Sequence, residues 1–149
     1  MKFFSKAFST FFGAGYFPIA PGTFASLIVA LLYKFFLGQW EWGLYARLWL
    51  VVFFVGLVSS TLFSRELRQK DPGKIVIDEV CGQMIALFLI PPSWLPILVS
   101  FLLFRLFDVA KPYPIRKLER LEDGLGIMAD DVLAGLYARI LVQLYLVLK

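Results

Sequence analysis

The sequence has no histidine, a single cysteine and few acidic residues for its length. Its 149 residues include 11 Asp and Glu, 15 Lys and Arg, no His and one Cys, Cys81. Without histidine, the chain lacks the commonest acid–base residue and the usual zinc ligand. A lone cysteine excludes a disulfide within the chain.

Apolar side chains, by contrast, are abundant. The chain is 60% hydrophobic and 17% aromatic, with a mean hydropathy of +0.77, whereas soluble domains are roughly 45–50% apolar. The length suits one domain, residues 1–149. The net charge of +4 suits anionic lipid head groups at least as well as nucleic acid, and with this hydropathy we expect a lipid bilayer as partner and no nucleic acid. We predict an all-α fold, a compact integral-membrane helical bundle. A soluble all-α domain with buried core helices is the alternative.

Five apolar segments are predicted to be helices. Only one of them reaches the ~20 residues needed to cross a ~30 Å hydrocarbon core, and the last comes close to that length. Two of the shorter ones are joined by Pro91-Pro92 and form a candidate hairpin that dips into the membrane. The segments are 24–37, 44–63 (the long one), 80–90, 94–107 and 132–148.

The first twelve residues predict a short amphipathic helix that lies in the membrane interface. Phenylalanines recur at helical spacing from Phe3 to Phe12, while Lys2, Ser5, Lys6 and Ser9 occupy the other side. Lys6 and Ser9 interrupt the apolar run that a signal peptide needs, so we expect no cleavage.

Basic residues mark one end of the predicted bundle. The connections that follow 44–63 and 94–107 carry Arg65, Arg68, Lys70 and Lys74, and Lys111, Arg116, Lys117 and Arg120, respectively. The connections 38–43 and 91–93 carry no Lys or Arg and hold or border Trp40, Trp42 and Trp94. Basic loops face the cytoplasm and tryptophans gather at membrane interfaces. We therefore expect the basic end, with the N-terminus, to face the cytoplasm.

Five carboxylates lie where the apolar segments end, all at this basic end. Asp78-Glu79 is predicted to open one helix, Asp108 to close another, and Asp130-Asp131 to open the last. Acids at a helix start can be caps or first-turn residues stabilised by the helix dipole, and capping is the structural alternative for either pair. Acids at membrane depth are otherwise functional candidates. Carboxylates without histidine favour Mg²⁺, Mn²⁺ or Ca²⁺, and a water-exchanging site with few ligands favours Mg²⁺.

Nearby cationic and hydroxyl groups are candidates for binding a phosphate beside this cation. Lys111 and Arg116 bracket a rigid Pro-Tyr-Pro segment, although ordinary flanking charge would also explain them. Arg105 and Asp108 are spaced i,i+3 and can pair on one helix face. Thr23 ends a loop rich in Gly and Pro that can present amides to an anion. Its hydroxyl is also suited to cap the first apolar helix.

Four motifs together resemble the bacterial phosphatidylglycerophosphatase A family. They are GAGYFPIAPGTFAS (13–26), DPGKIVIDEVCGQMIAL (71–87), FRLFDVAKPYPI (104–115) and GIMADDVLAGLYA (126–138). The resemblance implies an α-helical, magnesium-dependent enzyme of the bacterial inner membrane that converts phosphatidylglycerophosphate to phosphatidylglycerol. It implies Asp78, Glu79, Asp130 and Asp131 as leading catalytic or metal-binding acids, with Asp108 and Lys111 beside them.

Several other chemistries are excluded by the residues themselves. A covalent histidine mechanism fails because histidine is absent, and a Cys-x5-Arg phosphatase fails because Leu87 stands six residues after Cys81. No Asp-x-Asp nucleophile motif occurs. Metal-assisted hydrolysis remains, by water or by a carboxylate nucleophile. The alternatives are a non-catalytic membrane scaffold or ion-binding subunit, and a phosphatidyltransferase, whose Asp-Gly-x2-Ala-Arg signature is not met after Asp123-Gly124. Oligomeric state leaves no signal in the sequence.

Overall fold

The computed structural model describes residues 2–69, 72–118, 121 and 123–148. Lys70 and Arg120, counted above among the basic loop residues, lie outside this part of the chain. Within it, helices and short turns account for the fold and no strand occurs, which confirms the all-α prediction. The helices are α1 (Lys2–Ser9), α2 (Pro21–Phe35), α3 (Trp42–Leu67), α4 (Ile77–Leu87), α5 (Trp94–Ala110), α6 (Ile115–Leu118) and α7 (Asp123–Leu148), with 3-10 turns at Ala14–Tyr16 and Leu37–Gln39.

Each predicted apolar segment overlaps one helix, but the start of the last helix was predicted wrongly. Asp130-Asp131 do not open α7, because that helix already begins at Asp123. Its first two turns are too polar to register as an apolar segment, and α3 helps to hold them. The amide of Gly124 donates to Thr61 Oγ1 at 3.0 Å. A side chain at Gly124 would lie 2.5 Å from the carbonyl oxygen of Leu57.

The short helix α4 occupies the centre of the bundle. It packs against α2, α3, α5 and α7, and nine of its eleven residues are buried. At 1.5 Å per residue its length is about 16 Å, roughly half of a hydrocarbon core. The neighbouring helices therefore isolate α4 from the surroundings, and its first turn meets the N-terminal half of α7.

Two glycines allow α4 and α7 to cross with their backbones almost in contact. A Cβ atom on Gly135 would lie 2.2 Å from the carbonyl oxygen of Gly82. One on Gly82 would lie 2.6 Å from the carbonyl oxygen of Asp131. Side chains at either position would force the helices apart. This crossing brings Asp131 beside the acidic first turn of α4.

In the part of the chain that the structure describes, two helices are long and apolar enough to cross a membrane, α3 and α7, each with 26 residues. Most of each apolar stretch lies on the surface, since only 22% of it in α3 and 28% in α7 is buried. Val51, Phe54 and Val58 of α3 are 58–59% exposed. Such a surface is unfavourable in water and suited to lipid. The structure thus has the form of the predicted membrane bundle.

The two ends of the bundle differ in chemistry. The α2–α3 and α4–α5 turns lie side by side, where Lys34 Nζ donates to the carbonyl of Pro92 at 2.7 Å and sits over the ring of Trp94. Trp40 and Trp42 lie at this same end, beside Ile90 and Pro91. We call it the tryptophan end. The starts of α2 and α4 and the end of α5 meet at the opposite end.

Helix α1 has the predicted amphipathic form, with an unexpected orientation of its polar side. Phe3 and Phe4 are 84% and 65% exposed, whereas Ser5 and Ser9 are buried. The helix packs against α3, and the Ser9 hydroxyl donates a hydrogen bond to the carbonyl oxygen of Ser5 at 2.6 Å. The small serines thus face the protein, leaving Phe3 and Phe4 free to enter a membrane interface.

Candidate active site

A cavity of about 600 Å³ opens at the end of the bundle opposite the tryptophans. The first residues of α2 and α4, the last turn of α5 and the N-terminal half of α7 form its walls. All three acidic positions singled out from the sequence therefore meet in one place. The charged residues lining it are Asp78, Glu79, Arg105, Asp108, Lys111, Arg116, Asp123, Asp130 and Asp131.

Three carboxylates form the centre of this cavity. One oxygen each from Asp78, Glu79 and Asp131 lies within 4.8 Å of the other two. Asp78 and Glu79 occupy the first turn of α4, where Val76 holds the N-cap position, and Asp131 lies inside α7. The structural alternative for both acidic pairs was a cap or a first-turn position. Asp78-Glu79 does lie in the first turn of its helix, whereas Asp130-Asp131 lies in neither position. We call Asp78, Glu79 and Asp131 the carboxylate triad.

The triad suits a hard divalent cation. Glu79 Oε2 and Asp131 Oδ2 are buried and accept no hydrogen bond from the described residues. Buried anionic oxygens without partners are costly unless a cation or donor meets them. Asp78, Glu79 and Asp131 would hold such a cation, since each offers a carboxylate oxygen within 4.8 Å of the other two.

Burial sets the protonation of Glu79. Loss of solvent raises the pKa of this carboxyl to about 6, because the low-dielectric site disfavours its charged form. The hydrogen bond with Asp78 and the charge of Arg105 lower the pKa, while the charge of Asp108 raises it. Glu79 therefore titrates close to neutral pH when no cation is present.

The two remaining acids are held by cationic side chains. Asp130 Oδ2 accepts a bond from Lys111 Nζ at 2.8 Å. Asp108 Oδ2 pairs with Arg105 Nη1 at 2.6 Å, and that same nitrogen is 3.9 Å from Glu79 Oε1. The i,i+3 pairing of Arg105 with Asp108 is thus confirmed. The guanidinium of Arg105 also faces the carboxylate triad. The spacing of residues along one helix does not predict this contact.

The start of α2 comes close to the triad through a glycine. A Cβ atom on Gly22 would lie 1.8 Å from Glu79 Oε1, so a residue with a side chain could not be accommodated there without displacing the carboxylate. Both α2 and α4 direct their N-termini toward this region. The positive ends of two helix dipoles thereby offset part of the negative charge.

Two positions differ from the sequence-based expectation. Thr23 does not cap α2, because the helix begins at Pro21 after Ala20 and has no side-chain cap bond. The cavity is lined by Ala20, Pro21 and Gly22, not by Thr23. Asp123, which was not a candidate, lines the cavity and pairs with Arg65. Arg65 and Asp123 meet because α3 packs against α7, and their positions in the sequence do not predict this pairing.

The chain matches a known family over nearly its whole length. Residues 7–146 match the family model described as Phosphatidylglycerophosphatase A. No solved structure is a significant match to the chain.

Curated relatives support the same assignment. A phosphatidylglycerophosphatase A of Haemophilus influenzae is 41% identical over 88% of this chain and 82% of its own. One from Escherichia coli K12 is 35% identical over 83% of this chain and 73% of its own. A Bacteroides thetaiotaomicron protein, named as a candidate phosphatidylinositol-3-phosphatase, is 35% identical over 95% of this chain and 92% of its own. The resemblance seen in the four motifs is confirmed, and this chain belongs to the phosphatidylglycerophosphatase A family.

Proposed function

We propose that this chain is a magnesium-dependent lipid phosphatase. Its reaction would be hydrolysis of the terminal phosphomonoester of phosphatidylglycerophosphate, giving phosphatidylglycerol and inorganic phosphate, in phospholipid biosynthesis. The observation that carries the proposal is the carboxylate triad in a cavity that Lys111 and Arg116 also line. Family membership supports the reaction, since the names of two relatives give this activity for those proteins.

The carboxylate triad would hold the cation. A donor set made only of carboxylate oxygens favours Mg²⁺, Mn²⁺ or Ca²⁺ over zinc. Mg²⁺ in proteins usually keeps several waters and binds substrate phosphate beside its carboxylate ligands, and the carboxylate triad would leave room for both. When bound, the cation neutralises phosphate oxygens and activates water.

The other residues of the cavity would bind and orient the phosphate. Lys111 and Arg116 bring positive charge to its wall, and the bond from Lys111 to Asp130 fixes the position of that ammonium group. In the hydrolysis, the water oxygen forms a bond to phosphorus as the bond from phosphorus to the glycerol oxygen breaks. A proton from water goes to that glycerol oxygen.

We infer that the cavity faces the cytoplasm from the inner membrane. Among the described residues outside α1, the cavity end carries Arg65, Arg68, Lys74, Arg105, Lys111, Arg116 and Lys117, whereas Lys34, Arg47 and Arg139 lie toward the tryptophan end. The positive-inside rule supports this orientation.

The test is phosphate release by the purified protein in detergent micelles, with Mg²⁺ or with a chelator. The substrates compared are phosphatidylglycerophosphate, phosphatidic acid and phosphatidylinositol 3-phosphate. We expect Mg²⁺-dependent release from the first. Glu79→Gln and Asp131→Asn should each lower it by at least about 100-fold, because each removes a charged ligand. Glu66→Gln, an exposed acid of α3 outside the cavity, is the matched control and should keep full activity.

Each outcome has a distinct meaning. Full activity of both triad variants would refute the carboxylate triad as the active site. Equal activity with Mg²⁺ and with chelator would refute the metal requirement. Preference for phosphatidylinositol 3-phosphate would make that lipid the substrate, in agreement with the name of the Bacteroides relative. No release from any of the three lipids would favour the non-catalytic scaffold.

A further inference from the structure

A shallow apolar groove of about 80 Å³ runs between α2 and α5 on the outer surface of the bundle. Its floor is formed by Ala30 and Ile97, which are 5% and 4% exposed. Its walls include Leu31 from α2 and Leu98 from α5, which are 40% and 52% exposed. Trp94 closes it at the tryptophan end. Every side chain that lines the groove is apolar.

The groove leads along both helices toward the catalytic cavity. On α5, Phe101 lines the groove, and Arg105, one turn later on the same face, lines the cavity. On α2, Gly22 lines the cavity, and Leu27 lines the groove less than two turns further along. From Trp94 to Arg105 the distance along α5 is about 16 Å. On α5 the apolar groove therefore ends one helical turn from the charged cavity.

We propose that the groove between α2 and α5 seats part of one acyl chain of the lipid substrate while its phosphate head group occupies the cavity. This rests on the proposed function. The chemistry of the two sites matches that of a phospholipid, with an apolar groove on the outer surface and charged groups in the neighbouring cavity. Lipid tails are as apolar as leucine, so the groove gains little from the hydrophobic effect. Its role is to align the chain, so that the head group reaches the triad in one orientation.

Filling the groove tests the proposal. Leu98→Trp and Leu31→Trp each place an indole in it from opposite walls, and Val58→Trp places one on the exposed face of α3 as a control. We expect kcat/KM for phosphatidylglycerophosphate in micelles to fall by about tenfold in both groove variants, since misplaced substrates react slowly. The deacylated substrate, which keeps the head group and lacks both chains, should be hydrolysed at the unaltered rate. Equal losses on both substrates in both groove variants, or no loss on the intact lipid, would refute an acyl-chain site.

A second measurement does not depend on hydrolysis. Phosphatidylglycerol with a photoactivatable diazirine in one acyl chain is irradiated with the wild-type protein and with Leu98→Trp. We expect labelled peptides from α2 and α5, and a several-fold drop of that labelling in Leu98→Trp with labelling of α3 unchanged. Labelling of α2 and α5 that is equal in both proteins would refute the groove. If labelling follows the groove but no lipid is hydrolysed, the proposed function fails and the lipid site stands.

Discussion

Glu79 lies between two environments of opposite charge. It shares the carboxylate triad with Asp78 and Asp131, and Arg105 Nη1 approaches it to 3.9 Å. Because its pKa in the fold, about 6, exceeds its ordinary value of 4.5, the native state binds more protons than the unfolded chain. This group therefore costs the metal-free protein stability as pH rises from about 4.5 to 6, and the cost persists above pH 6. A bound cation would reverse this, since it requires the ionised carboxylate.

The first prediction is that stabilisation by Mg²⁺ depends on pH through the carboxylate triad, of which Glu79 is a member. Below pH 6 a proton competes with the cation, so the apparent affinity should be about tenfold weaker at pH 5 than at pH 7.5. The measurement is the rise in Tm with Mg²⁺ concentration in detergent at each pH. Glu66→Gln should show the same pH dependence as the wild type. A rise in Tm that is identical at both pH values would contradict the assignment of Glu79 as a ligand.

At the scale of residues, the sequence predicts which neighbours on one helix form a pair. It does not predict which acids from different helices share a centre. Arg105 and Asp108 are three residues apart on one helix, so their contact follows from helix geometry alone. Which of five acids share a centre depends on how α4 and α7 are rotated against each other. That rotation follows from packing, and it selected Asp131 for the triad while turning Asp130 toward Lys111.

At the scale of elements, the crossing of α4 and α7 positions the site. The crossing depends on Gly82 and Gly135, whose missing side chains permit backbone contact. Hydropathy identified both helices from the sequence, because each contains an apolar segment, 80–90 in α4 and 132–148 in α7. It missed the polar first turns of α7, which are stabilised by contacts with α3 and not by local composition.

Gly135→Ala should therefore destabilise the fold and the site together. The new Cβ would meet the Gly82 carbonyl oxygen at 2.2 Å, a backbone atom that cannot move aside. We expect a loss of about 1–3 kcal/mol, typical of overpacking, and a large loss of phosphatase activity as Asp131 moves from α4. Urea or thermal unfolding in detergent measures the first effect, and phosphate release the second.

Gly43→Ala is the matched control, because its Cβ would make only an ordinary contact of 3.5 Å with Glu41 Oε1. Alanine favours helix over glycine by up to about 1 kcal/mol, so this variant should be as stable as the wild type or slightly more so. If both alanine variants behaved alike, the close crossing would not be the cause.

At the scale of the whole molecule, the single cysteine makes orientation measurable. Cys81 is fully buried in α4, and burial raises the pKa of its thiol. Thiol reagents attack the thiolate, so Cys81 should stay unlabelled in the folded protein. A cysteine introduced elsewhere then reports its own side of the membrane.

Lys117→Cys and Gln39→Cys lie at opposite ends of the bundle and should be labelled from opposite sides. With a membrane-impermeant maleimide on intact cells, Gln39→Cys should react and Lys117→Cys should not. Lysis should expose Lys117→Cys, while the wild type stays unlabelled throughout as the control. Labelling of Lys117→Cys on intact cells would place the cavity outside the cytoplasm.

The shortness of α4 has a consequence for how the protein is made. An 11-residue helix with two acids in its first turn is too short and too polar to be retained in a bilayer by its own hydropathy. The insertion machinery meets α3 first as a segment able to span, and α7 later. Since α7 supplies Asp131 and forms the main contact of α4, the nascent chain has no complete carboxylate triad until α7 has been made and has packed against α4.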